Sequence, residues 1–363
     1  MKSVAEAIGG IDALTAAPAS LGAIAADVDL RIGALFDAEL LRWSAVDPDL
    51  AELFGALRSL VLAGGKRLRP AFCHWAFVGA GGHDRDPMVR NAGAALELLH
   101  TFALIHDDVM DGSATRRGLD TVHLQFEAAH GSSDWRGEGR RFGEGVAILA
   151  GDLAFVYADR MLEGAPTDAV SVFTELRVEV NVGQYLDLVG TARGKASEGS
   201  ARRISRFKSG KYTIERPLHL GAALAGRLGE LAPALSAYGL PLGDAFQLRD
   251  DLLGVFGDAA VTGKPVGEDL REGKPTLLWV YAAQRTSPSQ ARLLERYGAN
   301  DLSEDEVGEL QTVLIDTGAA ARVEEAIVDL VEEAVSAIEA ARLSPEATTA
   351  LVELAHYVAG RDR

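Results

Sequence analysis

Three aspartates give the first chemical signal. Asp107, Asp108 and Asp111 stand in the run DDVMD, late in a stretch with helical spacing. On a helix, 107 and 111 lie one turn apart on one face, and 108 flanks them. Three like charges repel there, and the dipole at a helix C-terminus disfavours anions. A bound cation is the natural compensation. Oxygen-only ligands suit Mg²⁺, which keeps waters and binds through one or two carboxylates plus substrate phosphates. Alone, such a run is equally readable as a solvated acidic helix end. A second pair, Asp250 and Asp251 in DDLLG, ends another helical stretch far downstream. Two acidic helix ends suggest two walls of one cavity.

Cations accompany both runs. Arg116 and Arg117 follow the first, in DGSATRRG, and an arginine pair there suits bidentate contact with phosphate oxygens. Lys66 and Arg69 lie in GGKRLRP, where a Gly-rich turn and two cations suit a second anion. This is not a Walker loop, because GxxxxGK[ST] is absent; Gly263-Lys264-Pro265 fails the same test. Lys208, Ser209 and Lys211 lie in FKSGKY, and Gln184 and Asp187 lie three apart in GQYLD. Gln247 stands one turn before Asp251. His100 stands seven residues before Asp107, on about the same helical face. His106 adjoins Asp107, as in HD-type metal phosphohydrolases, but His74, His83 and His123 offer no matching ligand spacing.

These residues need elements to hold them. Helical spacing covers about 33–62, 67–79, 87–111, 145–163, 167–189, 201–224, 231–256, 275–286, 304–315, 319–342 and 345–360. No Val/Ile/Thr alternation marks strands, so the fold class is all-α. The chain has 363 residues, and its even composition argues for one large helical domain, 29–363, after a weakly ordered tail over 1–28. A formal charge of −17 disfavours nucleic-acid binding. The single cysteine, Cys73, excludes an internal disulfide and a Cys-based zinc cage. Asp152 interrupts the most apolar stretch, so no membrane span is expected, and a cytoplasmic location fits.

As an ordered set, GGKRLRP, ELLHTFALIHDDVMD, TRRG, GQYLD, FKSGKY and FQLRDDLLGVFGDAAVTGKPVGEDLREGKPT resemble the trans-isoprenyl diphosphate synthases, or polyprenyl synthetases. The resemblance implies a helical bundle around a deep central cavity, usually a homodimer. It implies Mg²⁺-dependent condensation of isopentenyl diphosphate with an allylic diphosphate, through an allylic carbocation and proton loss to diphosphate. It further implies three Mg²⁺ per site, or Mn²⁺ in their place. By the family's motifs, Asp107 and Asp111 are direct metal ligands and Asp250 holds a further Mg²⁺. Arg116, Lys208 and Lys264 match the allylic side, and Ser209 a substrate contact. Lys66, Arg69, His100 and Arg117 match the isopentenyl diphosphate site. Gln184 and Gln247 match polar residues beside the reacting carbons and metals.

One departure stands out: the third acidic position of the second motif is Gly254, with Asp258 one turn further on. Retained activity and tolerance of an aspartate at 254 are expected. Two other readings compete. A class I terpene cyclase also ionises diphosphates with Mg²⁺, but needs neither GGKRLRP nor Arg117. A non-catalytic subunit of a heteromeric synthase would be expected to lose metal aspartates, and this chain keeps nearly all. Product length in the family follows the bulk just before the first motif. Here Phe102 is bulky, Ala103 is small and Leu99 lies a turn below, which points to a C20 product, geranylgeranyl diphosphate, with farnesyl diphosphate next.

Overall fold

The computed structural model describes residues 17–193, 197–257, 267–274, 276–299 and 301–360. It is all-α apart from one hairpin of two-residue strands, and it divides into two compact units. No helix among the described residues is long and apolar enough to cross a membrane.

The first unit comprises Ala19–Val170 and Leu220–Gly226. Its helices are α1 (Ala19–Ser44), α2 (Leu50–Leu62), α3 (Leu68–Gly79), α4 (Pro87–Asp111), α5 (Val122–Ser132) and α6 (Gly139–Met161). Helix α1 starts inside the stretch read from sequence as a weakly ordered tail. The single helix expected over 33–62 is two, because the chain turns at Val46–Asp49 around Pro48, which disfavours helical backbone at the residue before it.

Helix α4 carries the first acidic run, and its ends are encoded locally. Asp86 caps the start by accepting from the Met88 amide at 2.8 Å, and Pro87 occupies the first turn, where no amide partner is needed. Gly112 ends it in the left-handed region at φ 66°. The buried face of α4 is rich in small residues, Ala92, Gly93, Ala94 and Ala95, so its neighbours approach closely. A Cβ on Gly93 would stand 2.9 Å from the Val28 side chain, and one on Gly151 of α6 would stand 2.3 Å from the His106 ring.

The hairpin, β1 (Thr115–Arg116) and β2 (Leu119–Asp120), joins α4 to α5. Its two-residue turn is Arg117-Gly118, with φ of 53° and 76°. Positive φ at both positions is the turn that matches strand twist.

The second unit comprises Ser171–His219 and Arg227 onward. It contains α7 (Thr167–Arg193) from Ser171, α8 (Glu198–Ser205), a π-helix over Arg206–Glu215, and α9 (Arg216–Leu224) as far as His219. Then follow α10 (Leu228–Phe256), α11 (Glu268–Glu272), α12 (Leu277–Ala283), α13 (Pro288–Leu294), α14 (Glu304–Asp316), α15 (Ala319–Glu339) and α16 (Pro345–Gly360). Helix α10 is the centre of this unit. Val323, Ile327, Val331 and Ile338 form a buried stripe on α15, which packs on α10. Tyr238 of α10 is fully buried, and its hydroxyl donates to the Leu351 carbonyl at 2.7 Å.

Candidate active site

In the first unit the acidic run occupies the last turn of α4. Its three aspartates have different surroundings. Asp108 is buried and accepts from Arg116 Nε at 2.9 Å and from Arg116 Nη2. Asp107 is half-buried and Asp111 exposed. The middle aspartate therefore fastens the hairpin to the helix end. Thr121 adds a second tie, its hydroxyl donating to the Ser113 carbonyl at 2.9 Å. Asp107 and Asp111 stand one turn apart on the same helix. His106 turns onto α6, where its Nε2 donates to the Ile148 carbonyl at 3.1 Å and its ring meets Phe102 edge-on at 4.7 Å. That is a packing role, against the HD-type reading.

Beside this helix end the same unit gathers arginines. Arg67 is 2% exposed. It reaches Glu97 at 2.6 Å, Asp29 at 2.7 Å and the Val61 carbonyl at 2.6 Å. Arg117 donates to the Leu60 carbonyl at 3.3 Å. A Cβ on Gly65 would stand 3.1 Å from Arg117 Nη2 and 3.4 Å from Arg67 Nη1, and its φ of 141° is one that side-chain-bearing residues rarely adopt. His100 keeps some surface, but its Nδ1 is sealed from water. Desolvation, then Arg69, Arg117, Arg67 and Arg116, push the His100 imidazole well below its ordinary range and keep it neutral. Burial also pulls Arg117 down, Glu97 opposes, and Arg67, Arg69 and Arg116 add to the fall. Arg67, by contrast, is raised against burial by Glu97 and Asp29. Arg117 is thus the member of the group whose charged form is disfavoured, and an anion beside it would be stabilising. Lys66 and Arg69 flank Arg67 in sequence, and both are half-buried.

Of the residues expected to set product length, Leu99 is completely buried, while Phe102 and Ala103 are half-buried. The Phe102 ring meets Phe155 of α6 edge-on at 4.9 Å.

In the second unit, Gln184 and Asp187 lie on α7, and Lys208 donates to Asp187 Oδ2 at 2.6 Å. Lys208 and Ser209 sit in the π-helix, a wide turn common at functional sites. Two glycines fix its seat. A Cβ on Gly183 would come within 2.4 Å of the Lys208 amide nitrogen, and one on Gly243 within 2.6 Å of the Gly210 Cα. A buried polar network completes the seat. Glu179 takes both arms of Arg216, at 2.6 and 2.7 Å, and also Lys211 Nζ. Burial alone would raise the Glu179 carboxyl, but bonds from Arg216 and Lys211 hold it below the ordinary range. Ser236 links Glu215 at 2.7 Å with His219 at 3.0 Å.

The second acidic run ends α10. Asp251 is buried and accepts from Gln247 Nε2 at 2.7 Å; burial, with Asp269 and Asp250 nearby, pushes its carboxyl well up. Gln247 therefore orients an aspartate of the motif. At Gly254 a Cβ would stand 2.0 Å from Asp269 Oδ2, so the Asp269 carboxylate lies where a side chain at 254 would begin. Lys274 holds that carboxylate at 3.1 Å. A side chain at 254 would therefore have to move the end of the Asp269 side chain. Lys264 and Asp258 lie outside the described residues.

The donor set suits Mg²⁺. Asp107 and Asp111 offer only oxygen. No group of three or more His, Cys, Asp or Glu among the described residues could hold a metal ion by itself. Sequence reasoning missed Arg67, Glu97, Glu179, Asp269 and Lys274. Glu97 carried a usable signal, being three residues before His100 on the same helix; Asp269 carried none.

Comparison with known proteins agrees with this arrangement. The sequence model of the family described as polyprenyl synthetase matches residues 51–314. A geranylfarnesyl diphosphate synthase of Aeropyrum pernix is 33% identical over 78% of this chain and 86% of its own. A geranylgeranyl diphosphate synthase of Methanosarcina mazei is 33% identical over 86% and 90%. The crystal structure of geranylgeranyl pyrophosphate synthase from Corynebacterium glutamicum, complexed with isoprenyl diphosphate and magnesium, is 39% identical. It superposes with a TM-score of 0.89 over 94% of this chain and 99% of that one. With the acidic helix ends, the arginine cluster and the lysine-bearing π-helix all falling within the matched span, the chain belongs to the polyprenyl synthetase family, as a short-chain prenyl diphosphate synthase.

Proposed function

We propose that the product is geranylgeranyl diphosphate, C20, made from isopentenyl diphosphate and allylic primers of C5 to C15, with farnesyl diphosphate the next candidate. The observation that carries this reading is the pairing of half-buried Phe102 with small Ala103 just before Asp107. One aromatic there narrows a path for the growing tail without closing it. The names of the Methanosarcina mazei and Corynebacterium glutamicum relatives support it. The Aeropyrum pernix relative keeps a C25 product as the contrast to test.

In this reading Asp107 and Asp111 hold Mg²⁺ and Asp250 a further ion, three in all, with Mn²⁺ able to substitute. When bound, the metal neutralises the departing diphosphate. Arg116, Lys208, Ser209 and Lys264 bind the allylic diphosphate. Lys66, Arg69, Arg117 and neutral His100 bind isopentenyl diphosphate, and Gln184 and Gln247 orient groups beside the reacting carbons. Fixing both substrates by their diphosphates converts the encounter of double bond and allylic carbon into an intramolecular step. The working form is a homodimer. Helix α6 supports this by presenting Leu149 and Val156, each 59% exposed, and Ile148 at 46%.

The test is product length with labelled isopentenyl diphosphate, Mg²⁺ and each primer in turn. Ala103→Phe is expected to shorten the main product and Phe102→Ala to lengthen it. If both variants stay active with an unchanged distribution, this pair does not set length and the C20 assignment loses its basis.

A further inference from the structure

Only three described non-glycine residues have positive φ: Arg67 at 50°, Arg117 at 53° and Asp134 at 53°. Two of the three are arginines of one cluster, and a Cβ on Gly65 would lie within 3.5 Å of both guanidinium groups. A left-handed arginine persists only where its surroundings over-determine it, and such residues gather at functional sites. Arg117 is explained by its turn. Arg67 is not: it precedes α3, in a loop whose neighbours Gly64 and Gly65 already supply φ of 98° and 141°.

What holds Arg67 is its own side chain. The guanidinium binds Glu97 at 2.6 Å, Asp29 at 2.7 Å through Nη2 and 2.9 Å through Nε, and the Val61 carbonyl at 2.6 Å. These partners come from α4, α1 and α2 respectively. A planar fork satisfies three helices at once, which a lysine ammonium on a flexible stem cannot do. Of the three cations in GGKRLRP, the middle one is thus tied inward. Its neighbours Lys66 and Arg69 are displayed from a kink whose shape the tie enforces.

We infer that Arg67, with Glu97 and Asp29 as its anchors, is a positioning residue for the isopentenyl diphosphate site. It does not touch the substrate; it sets the relative placement of Lys66 and Arg69 against Arg117 and His100. This rests on the assignment of those four residues to the second diphosphate under the proposed function. The consequence is selective: loosening the brace weakens isopentenyl diphosphate and leaves the allylic substrate alone.

The experiment uses Arg67→Lys, which keeps the charge and loses the fork, and Asp29→Asn, at a partly exposed anchor. For each, KM is measured separately for isopentenyl diphosphate and for the allylic substrate, and binding of isopentenyl diphosphate alone is measured by calorimetry. Arg67→Lys is expected to raise KM and Kd for isopentenyl diphosphate about tenfold, equivalent to about 1.4 kcal/mol, and Asp29→Asn about threefold. The allylic KM and kcat at saturation are expected to stay within twofold. Unchanged isopentenyl diphosphate affinity in folded Arg67→Lys overturns the inference. So does an equal rise in both KM values, which marks a general structural role. If Arg67→Lys does not fold, Asp29→Asn decides by the same criteria. Wild type that binds no isopentenyl diphosphate in calorimetry sinks the functional assignment instead. Inorganic diphosphate then tests the brace separately, with Arg67→Lys expected to bind it about tenfold more weakly than wild type.

Discussion

Two polar clusters, one in each unit, are built from the same residue types, yet a half-buried arginine in each, Arg216 and Arg117, is shifted in opposite directions. Around Glu179, burial and charge are balanced. Arg216 makes a two-armed pair with one carboxylate, and hydrogen bonding to Glu179 raises its pKa despite burial. Around His100 the arginines differ among themselves: Arg67 is raised against burial by Glu97 and Asp29, and Arg117 is not. Arg117 has its pKa lowered by burial, then by Arg67, Arg69 and Arg116, against Glu97. An arginine paired with a carboxylate keeps its charged form favoured, whereas Arg117, crowded by other cations, does not. The direction of the shift on a half-buried arginine separates the two, where residue composition does not.

The contrast can be broken most directly by truncating one member of each cluster. Glu179→Ala leaves Arg216 and Lys211 without their carboxylate and is expected to cost about 3–5 kcal/mol in chemical denaturation. Arg117→Ala is expected to behave in the opposite way. Stability holds or rises, while KM for isopentenyl diphosphate climbs about 10- to 100-fold from lost charge-assisted bonds. If the two variants lose stability alike, both clusters are structural.

A smaller effect is expected at Gly254. Alanine or aspartate there must displace the Asp269 carboxylate, at about 1–3 kcal/mol of overpacking. The Mg²⁺ concentration for half-maximal activity should rise with it. Equal stability and Mg²⁺ dependence in Gly254→Asp would show that Asp269 gives way freely.

The smallest effect is a slope. His100 is held neutral in the folded state, with its pKa below the unfolded value of about 6.5. As pH falls below about 6.5, the unfolded chain takes up a proton that the folded chain refuses, so stability drops. His100→Gln is expected to remove that one-proton dependence, at most about 1.4 kcal/mol per pH unit. Denaturant titrations at pH 7 and 5.5 check it, and identical slopes for both proteins would mean that His100 takes its proton in the fold.

Helix α4 was legible because its rules are local: Asp86, Pro87 and Gly112 mark its ends within a few residues of where they act. The break at Pro48 was missed, because helical periodicity continued across it and hid the turn. The π-helix left no trace, since a run such as FKSGKY has no preference for the wider turn. It arises from close seats at Gly183 and Gly243, residues remote in sequence. At the site, residue types named the ligand class, but partners could not be read. Spacing set Asp108 beside the Asp107–Asp111 pair, but not that it accepts from Arg116. Asp269 meets Gly254 from a separate helix, and no spacing announces that meeting.

The hairpin turn has a consequence for how the Arg116-Arg117 dipeptide can change over evolutionary time. On a helix, consecutive arginines would sweep one broad sector, and either could stand in for the other. Here one ends a strand and reaches Asp108, while the other begins the turn and reaches the Leu60 carbonyl. The two are therefore not spares but separate appointments, and duplication in the sequence carries no redundancy in space. A single-residue insertion between Thr115 and Leu119 would shift the pairing and reassign both arginines together, whereas a point substitution removes only one. Such a segment is tolerant of changes in its flanks and intolerant of changes in its length.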